Sequence, residues 1–260
     1  MHSETSSISS TELFTGKCEK HGEYEGKETT VFNRTFRTGC PKCAEIEKQR
    51  NEQERIEEEA QDKRLKLQRK LGAALIPHRF VDKSFDDYKA SSPEQKKALD
   101  ICVEYASNFR AHFDAGRCLL MLGKPGTGKT HLAAAIANHL MKTTEATAVY
   151  RTVGGILQHI KGSYDKEAGY TEKQAFEVYS KAHLLVIDEV GATKPTEFEL
   201  ATLFAIINAR YEEMMPTVII SNLPAKELPA AMGERCVDRL REGGGIAISF
   251  GWASARKVAP

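Results

Sequence analysis

Residues 123–130 read GKPGTGKT and fit the template G-x-x-x-x-G-K-[ST] at every fixed position. Gly123, Gly126 and Gly128 let the backbone curl so that successive N–H groups face a polyphosphate, with Lys124, Pro125 and Thr127 completing the cradle. Lys129 is expected to reach the β- and γ-phosphates of a nucleoside triphosphate, and the Thr130 hydroxyl to complete a Mg²⁺ shell. The flanks agree with this reading. The apolar run CLLML at 118–122 suits a buried parallel strand. The segment HLAAAIANHL at 131–140 is a strong helix former, so the phosphates would meet a helix N-terminus. A chance glycine-rich turn would not come with strand, loop and helix in register.

Working outward, residues 146–153 read as a second strand, with a helix through Ile156, Leu157 and Ile160 and another over 171–181. The segment HLLVIDEV, 183–190, is an apolar strand ending in two acids, which delivers carboxylates to the tip where phosphates bind. Asp188 is expected to hold Mg²⁺, and Glu189 to orient and polarise the attacking water. A helix over 195–215 leads to a strand ending at Asn222, which either hydrogen-bonds the water or γ-phosphate or is a turn residue before Leu223-Pro224. A last strand over 245–250 makes five. Alternating strands and helices predict an α/β fold with a parallel sheet covered on both faces. Ahead of the loop, Ser92-Pro93 reads as an N-cap with proline at the first helical position, opening a helix toward Phe113. The packed domain is expected to span 77–260.

The first 76 residues differ in kind. Residues 1–11 are rich in Ser and Thr and are expected to form a disordered tail. Cys18-x-x-His21 and Cys40-x-x-Cys43 then supply two tight knuckles, the pattern of a tetrahedral Zn²⁺ site, with a small β-ribbon between them. Four protein ligands leave no open position, so this zinc would be structural, holding a module (12–43) too small for a sizeable core. Residues 44–76 form a charged helix and linker whose acids precede its bases, with Glu59–Lys63 and Asp62–Lys66 as i,i+4 pairs. Its thin stripe of Ile46, Ile56, Ala60, Leu67 and Leu71 fits a solvated linker and a partner-docking helix equally well.

The 260 residues carry a net charge of only +1, so any contact with nucleic acid must come from local patches. Six cysteines, three of them clustered at the amino end, argue for metal over disulfides. No apolar run approaches a membrane span and no signal-peptide core is present, so a cytoplasmic protein with no membrane partner is expected.

A phosphate loop, a strand ending in DE and a strand ending in Asn, in that order, resemble an AAA+ ATPase. GKPGTGKTHLAAAIAN, LLVIDEVG and GERCVDRLREGG narrow the resemblance to bacterial replicative helicase loaders of the DnaC/DnaI type and their phage relatives, with IstB-type transposition ATPases sharing much of the signature. The resemblance covers about residues 77–260. It implies that Arg239, with Arg235 nearby, reaches the ATP of a neighbouring copy, so that the chain self-associates through its AAA+ domains. It also implies that Arg256 is a second sensor arginine. Only four residues follow Arg256, so the helical lid of most AAA+ proteins is expected to be absent. Lys161 and Tyr164, and then Thr196 and Phe198, match positions that contact single-stranded DNA in the family. Lysine for phosphate and aromatic for base suit sequence-tolerant binding. The zinc module resembles the amino-terminal part of DnaI-like and phage loaders, not the all-helical one of DnaC.

Taken together, the sequence predicts an ATP-dependent loader that grips a DnaB-like replicative DNA helicase and single-stranded DNA, using ATP, Mg²⁺ and structural Zn²⁺. The alternative is an IstB-like transposition helper ATPase acting on DNA. A small-molecule kinase is more distant, since Glu189 and Asn222 suit water attack better than transfer to an acceptor.

Overall fold

Strand β1 (Ser9–Cys18) turns through residues 19–21 into strand β2 (Gly22–Val31), where Gly22 adopts φ +78°. The two strands pair antiparallel from Ser9↔Val31 to Cys18↔Gly22, and β3 (Arg34–Arg37) adds to β2. Glycine packs under aromatic rings here: a Cβ at Gly16 would lie 2.7 Å from Tyr24 Cζ, and one at Gly26 2.6 Å from Phe14 Cε1. Helix α1 (Pro41–Ala73) follows with proline in its first turn and no buried residue. The structure, a computed structural model, describes residues 9–31 and 34–255 and divides into two units, Met1–Leu65 and Lys66–Pro260.

Three expectations change in this region. Residues 9–11 belong to β1 and not to a tail, because a ribbon built on backbone pairing and cross-strand Thr contacts (Thr11 Oγ1 to Thr29 Oγ1, 3.3 Å) needs no apolar residues; residues 1–8 lie outside the described residues. Glu59 pairs with Arg55 at 2.7 Å instead of Lys63. The second unit begins at Lys66, ahead of the expected Pro77. Its reason is packing: Leu67, Leu71 and Ile76 lie against the core, Ala74 is fully buried, and the Ala74 carbonyl accepts the Tyr150 N–H at 2.7 Å.

In the second unit a 3-10 turn (His78–Phe80) precedes α2 (Pro93–Ser107). Ser92 caps α2 through a reciprocal box with Gln95, as its position before proline predicts. The expected single helix to Phe113 breaks at Asn108 (φ −102°, ψ 25°) and resumes as α3 (Phe109–Asp114). Asn108 bonds Glu104 through both its backbone and its side chain, the local competition that makes Asn a poor helix interior. Then come β4 (Leu119–Gly123), α4 (Lys129–Thr143), β5 (Ala148–Thr152), α5 (Val153–Gly162), α6 (Glu172–Ser180), β6 (Leu184–Val190), α7 (Glu197–Glu212), β7 (Thr217–Ser221), α8 (Leu228–Met232), α9 (Glu234–Glu242) and β8 (Ile246–Phe250).

The five strands form a parallel sheet in the order β5-β6-β7-β4-β8. Strand alternation splits the apolar residues into two cores. Leu120, Leu122, Leu185, Ile187 and Ile219 face the layer of α5 to α9, while Leu119, Met121, Val186, Val218 and Ile248 face α2 and α4. The ends of β6, β7 and β4, adjacent in the sheet, therefore present Asp188, Asn222 and the phosphate loop side by side. A crevice at such carboxyl ends is where open α/β sheets bind ligands.

Candidate functional site

The loop leaves β4 at Gly123 (φ +134°) and passes Gly126 (φ +74°) and Gly128 (φ +97°) before α4 begins at Lys129. Only glycine fits at Gly123, since a Cβ there would lie 2.4 Å from the Phe250 carbonyl oxygen. Thr127 Oγ1 donates to the Lys124 carbonyl at 2.8 Å. Lys129 is buried at the helix N-terminus, and its Nζ donates to the Gly123 and Lys124 carbonyls (2.6 and 2.7 Å) and to Asn222 Oδ1 (2.9 Å). Asn222, the residue just after β7, thus touches the loop lysine.

Thr130 Oγ1 donates to Asp188 Oδ2 at 3.1 Å. Tyr150, buried on β5, donates its hydroxyl to the same oxygen. Burial and the adjacent Asp188 charge push the Tyr150 phenol well above its ordinary value, so it stays a donor. A hydroxyl and a carboxylate at this spacing suit Mg²⁺, which takes one or two protein oxygens and fills its octahedron with water and phosphate. Next to it, Glu189 is exposed and left-handed (φ +60°) at a bulge, where Ile187 and Val190 pair with Ile219 and Ser221. Such bulges re-aim side chains beside active sites. The site can hold a triphosphate and present a carboxylate to water.

Sequence reasoning missed Tyr150, Tyr88 and Trp252. Tyr88 Oη and Trp252 Nε1 both donate to the Thr127 carbonyl, at 3.3 and 3.0 Å. The signal was faint: a phenol inside the apolar strand AVYRT, and the chain's one tryptophan just past the last strand.

Arg239 is elsewhere. Its Cζ lies 4.3 Å over the Tyr211 ring, beside a cavity of about 340 Å³ lined by Cys118, Met215 and Thr217. Those residues sit at the amino ends of β4 and β7, whereas the phosphate loop follows the carboxyl end of β4. Arg235 lies 5.6 Å over Phe204. Arg256 falls outside the described residues.

Of the four DNA-contact candidates, Lys161 and Phe198 come together, with Nζ 4.9 Å over the ring. Tyr164 is exposed and donates to Glu172 Oε1 at 3.0 Å. Thr196 caps α7, accepting the Glu199 N–H at 3.2 Å.

In the first unit the hairpin turn carries Cys18 and His21, and the start of α1 carries Cys40 and Cys43. His21 Nδ1 lies 3.6, 3.7 and 3.2 Å from the Cys18, Cys40 and Cys43 sulfurs, and Cys18 and Cys43 are 3.5 Å apart. All four ligand atoms fall within 4.8 Å of one another. A tetrahedron with metal–sulfur arms of about 2.3 Å has edges of about 3.8 Å, so the set fits Zn²⁺. Backbone N–H groups near Lys20, then the Cys43 thiol, lower the Cys18 thiol to about 6, while Cys18 pushes Cys43 up to about 11.

Residues 49–240 match the family described as IstB-like ATP binding protein. The chain is 32% identical over 209 residues to the replicative helicase loader DnaC of Buchnera aphidicola subsp. Acyrthosiphon pisum, covering 79% of this chain and 83% of that protein. It is 31% identical over 198 residues to the replicative helicase loader DnaC of Escherichia coli K12, covering 76% and 79%. The chain belongs to the DnaC-like helicase-loader family of IstB-type ATP-binding proteins. The solved DnaC helicase loader shares the fold with a TM-score of 0.60 at 21% identity, over 66% of this chain and 99% of that one. AMPPCP-bound DnaA from Aquifex aeolicus does so at 0.55 and 20%, over 67% and 51%. Members of this family carry an ATP-binding domain of the ATPase type, and the matched span of residues 49–240 includes the loop at 123–130. Among the described residues no helix is long and apolar enough to cross a membrane.

Proposed function

We propose that the chain is an ATP-dependent loader that places a DnaB-like replicative helicase on single-stranded DNA in the cytoplasm. The convergence of Lys129, Thr130, Asp188 and Asn222 at three adjacent strand ends carries the reading. Lys129 and the loop hold ATP. Thr130 and Asp188 hold Mg²⁺, which neutralises charge on the phosphates, and Glu189 orients the attacking water. Arg239, at the far end of its own sheet, reaches the ATP of a neighbouring copy, so hydrolysis depends on assembly; Arg256 would act as a second sensor. Lys161, Tyr164, Thr196 and Phe198 contact the strand, and the Cys18–His21–Cys40–Cys43 zinc module with α1 binds the helicase.

Co-purification with a replicative helicase, with and without single-stranded DNA and ATP, tests this. Lys129→Ala is expected to abolish ATP-dependent DNA retention and to leave helicase binding intact. Loss of both together would contradict the division of labour.

The match to IstB-like proteins supports a second reading, a transposition helper. That match begins at residue 49 and so omits the four metal-ligand positions. Capture of a transposase in place of a helicase would favour it.

A further inference from the structure

Gly126 and Gly128, both at positive φ, give the phosphate loop little conformational preference of its own. Lys129 and Thr127 hold the Gly123 and Lys124 carbonyls from within the loop, whereas the donors to the Gly126 and Thr127 carbonyls come from far along the chain. Trp252 Nε1 and Tyr88 Oη both donate to the Thr127 carbonyl, and the Ala255 N–H donates to the Gly126 carbonyl at 2.9 Å. The Tyr88 ring closes over Gly128, where a Cβ would lie 2.5 Å from Cε2, and the Trp252 ring packs on Phe250 with centroids 4.9 Å apart.

In a trans peptide the C=O and N–H lie in one rigid plane and point in opposite directions. Fixing the Thr127 carbonyl therefore fixes the Gly128 N–H on the other side, and fixing the Gly126 carbonyl does the same for the Thr127 N–H. These N–H groups are the donors that a phosphate cradle uses. We propose that Trp252 and Tyr88 are positioning residues that hold the Thr127–Gly128 peptide with its N–H aimed at nucleotide phosphate, and that Trp252 emission reports nucleotide occupancy. The proposal rests on ATP binding at this loop. Neither donor titrates near neutrality: indole does not ionise, and burial pushes the Tyr88 phenol up to about 12. Trp252 is the chain's one tryptophan, so its emission carries no other contribution.

The test uses the full chain and fluorescently labelled ATP, read by anisotropy. Trp252→Phe keeps a ring against Phe250 and loses the N–H; Tyr88→Phe loses only the hydroxyl. Each is expected to weaken ATP and ADP about fivefold, the worth of one neutral hydrogen bond, and the pair, which share one acceptor, more than either alone. The thermal midpoint without nucleotide should fall by no more than a few degrees, the worth of one neutral hydrogen bond. Should Trp252→Phe lower that midpoint further, Tyr88→Phe, on a separate segment, carries the affinity test. In the wild type, saturating ATP or ADP should shift tryptophan emission, while adenosine, which has no phosphate, should not. Wild-type affinity in both single variants, or unchanged emission at ATP concentrations where anisotropy shows saturation, would overturn the proposal. A wild-type chain that binds no labelled ATP would instead count against nucleotide binding itself.

Discussion

At Asp188 two hydroxyls converge on one carboxylate oxygen, Thr130 from the loop helix and Tyr150 from β5. The first is the hydroxyl of the phosphate-loop template; the second comes from a neighbouring strand and is positioned to orient the carboxylate. Tyr150→Phe is expected to raise the Mg²⁺ concentration needed for half-maximal ATPase activity several-fold, with turnover at saturating Mg²⁺ close to wild type. An unchanged Mg²⁺ titration would leave Tyr150 as packing alone. Glu189 is a different kind of residue. Its left-handed backbone costs about 1–3 kcal/mol, a strain that persists where a surrounding structure needs it. Glu189→Gln keeps that backbone and removes the charge proposed to polarise water. Turnover should fall on the order of 10²-fold or more while nucleotide affinity holds, since general-base groups contribute that much to rate and little to ground-state binding. Parallel loss of affinity would argue that the carboxylate has a binding role.

Helix α7 is fastened to the sheet by one buried cation. Arg210 is 1% exposed and donates to the Tyr179, Ser180, Ala182 and Pro216 carbonyls and to Thr217 Oγ1, tying the end of α6 and the start of β7 to α7. Burial lowers its guanidinium to about 10, still charged at neutral pH. Arg210→Met would take the guanidinium donors from the buried Tyr179, Ser180 and Ala182 carbonyls, leaving Pro216 its Leu185 N–H, and is expected to cost roughly 3–5 kcal/mol in chemical denaturation. On α5, His159 Nδ1 lies 2.7 Å from the Tyr179 hydroxyl, and burial, then the Arg151 charge, lower its pKa. The unfolded chain takes up that proton near about 6.5 and the folded one only at lower pH, so stability is full above about 6.5 and lost as pH falls below it. His159→Asn should flatten that acid limb of the thermal midpoint. These elements also mark what could be read in advance. Buried strands such as LLMLG and LLVIDEV were legible because a parallel sheet covered on both faces demands unbroken apolar runs. The start of β1 was not, because its exposed ribbon is held by backbone pairing that any Ser or Thr can supply. The Arg210 rivet and the Tyr150 contact were hidden too, since a lone polar residue in an apolar stretch does not announce which distant carbonyl or carboxylate it will meet.

At the scale of the whole molecule, Arg239 lines a cavity with Cys118 and Thr217 at the amino ends of β4 and β7, while ATP would sit at the carboxyl end of β4. A sheet therefore separates the arginine from its own phosphate loop, and no rotamer of one side chain spans it. If the charge acts on a γ-phosphate, it acts on a neighbour's. That geometry makes a mixing experiment decisive. Lys129→Ala protomers have an intact Arg239 and no working loop; Arg239→Ala protomers have the loop and no arginine. Each alone should hydrolyse ATP poorly, since an arginine finger is worth about 10³-fold or more in turnover. In an equimolar mixture that assembles at random, half the loops are intact and half their neighbours carry the arginine, so about a quarter of the sites should regain the full finger effect. ATPase activity of the mixture should rise far above either parent and should grow with protein concentration as copies associate. A mixture no more active than the average of its parents would show that Arg239 does not complete a neighbour's site. Its stacking on Tyr211 would then be its structural role.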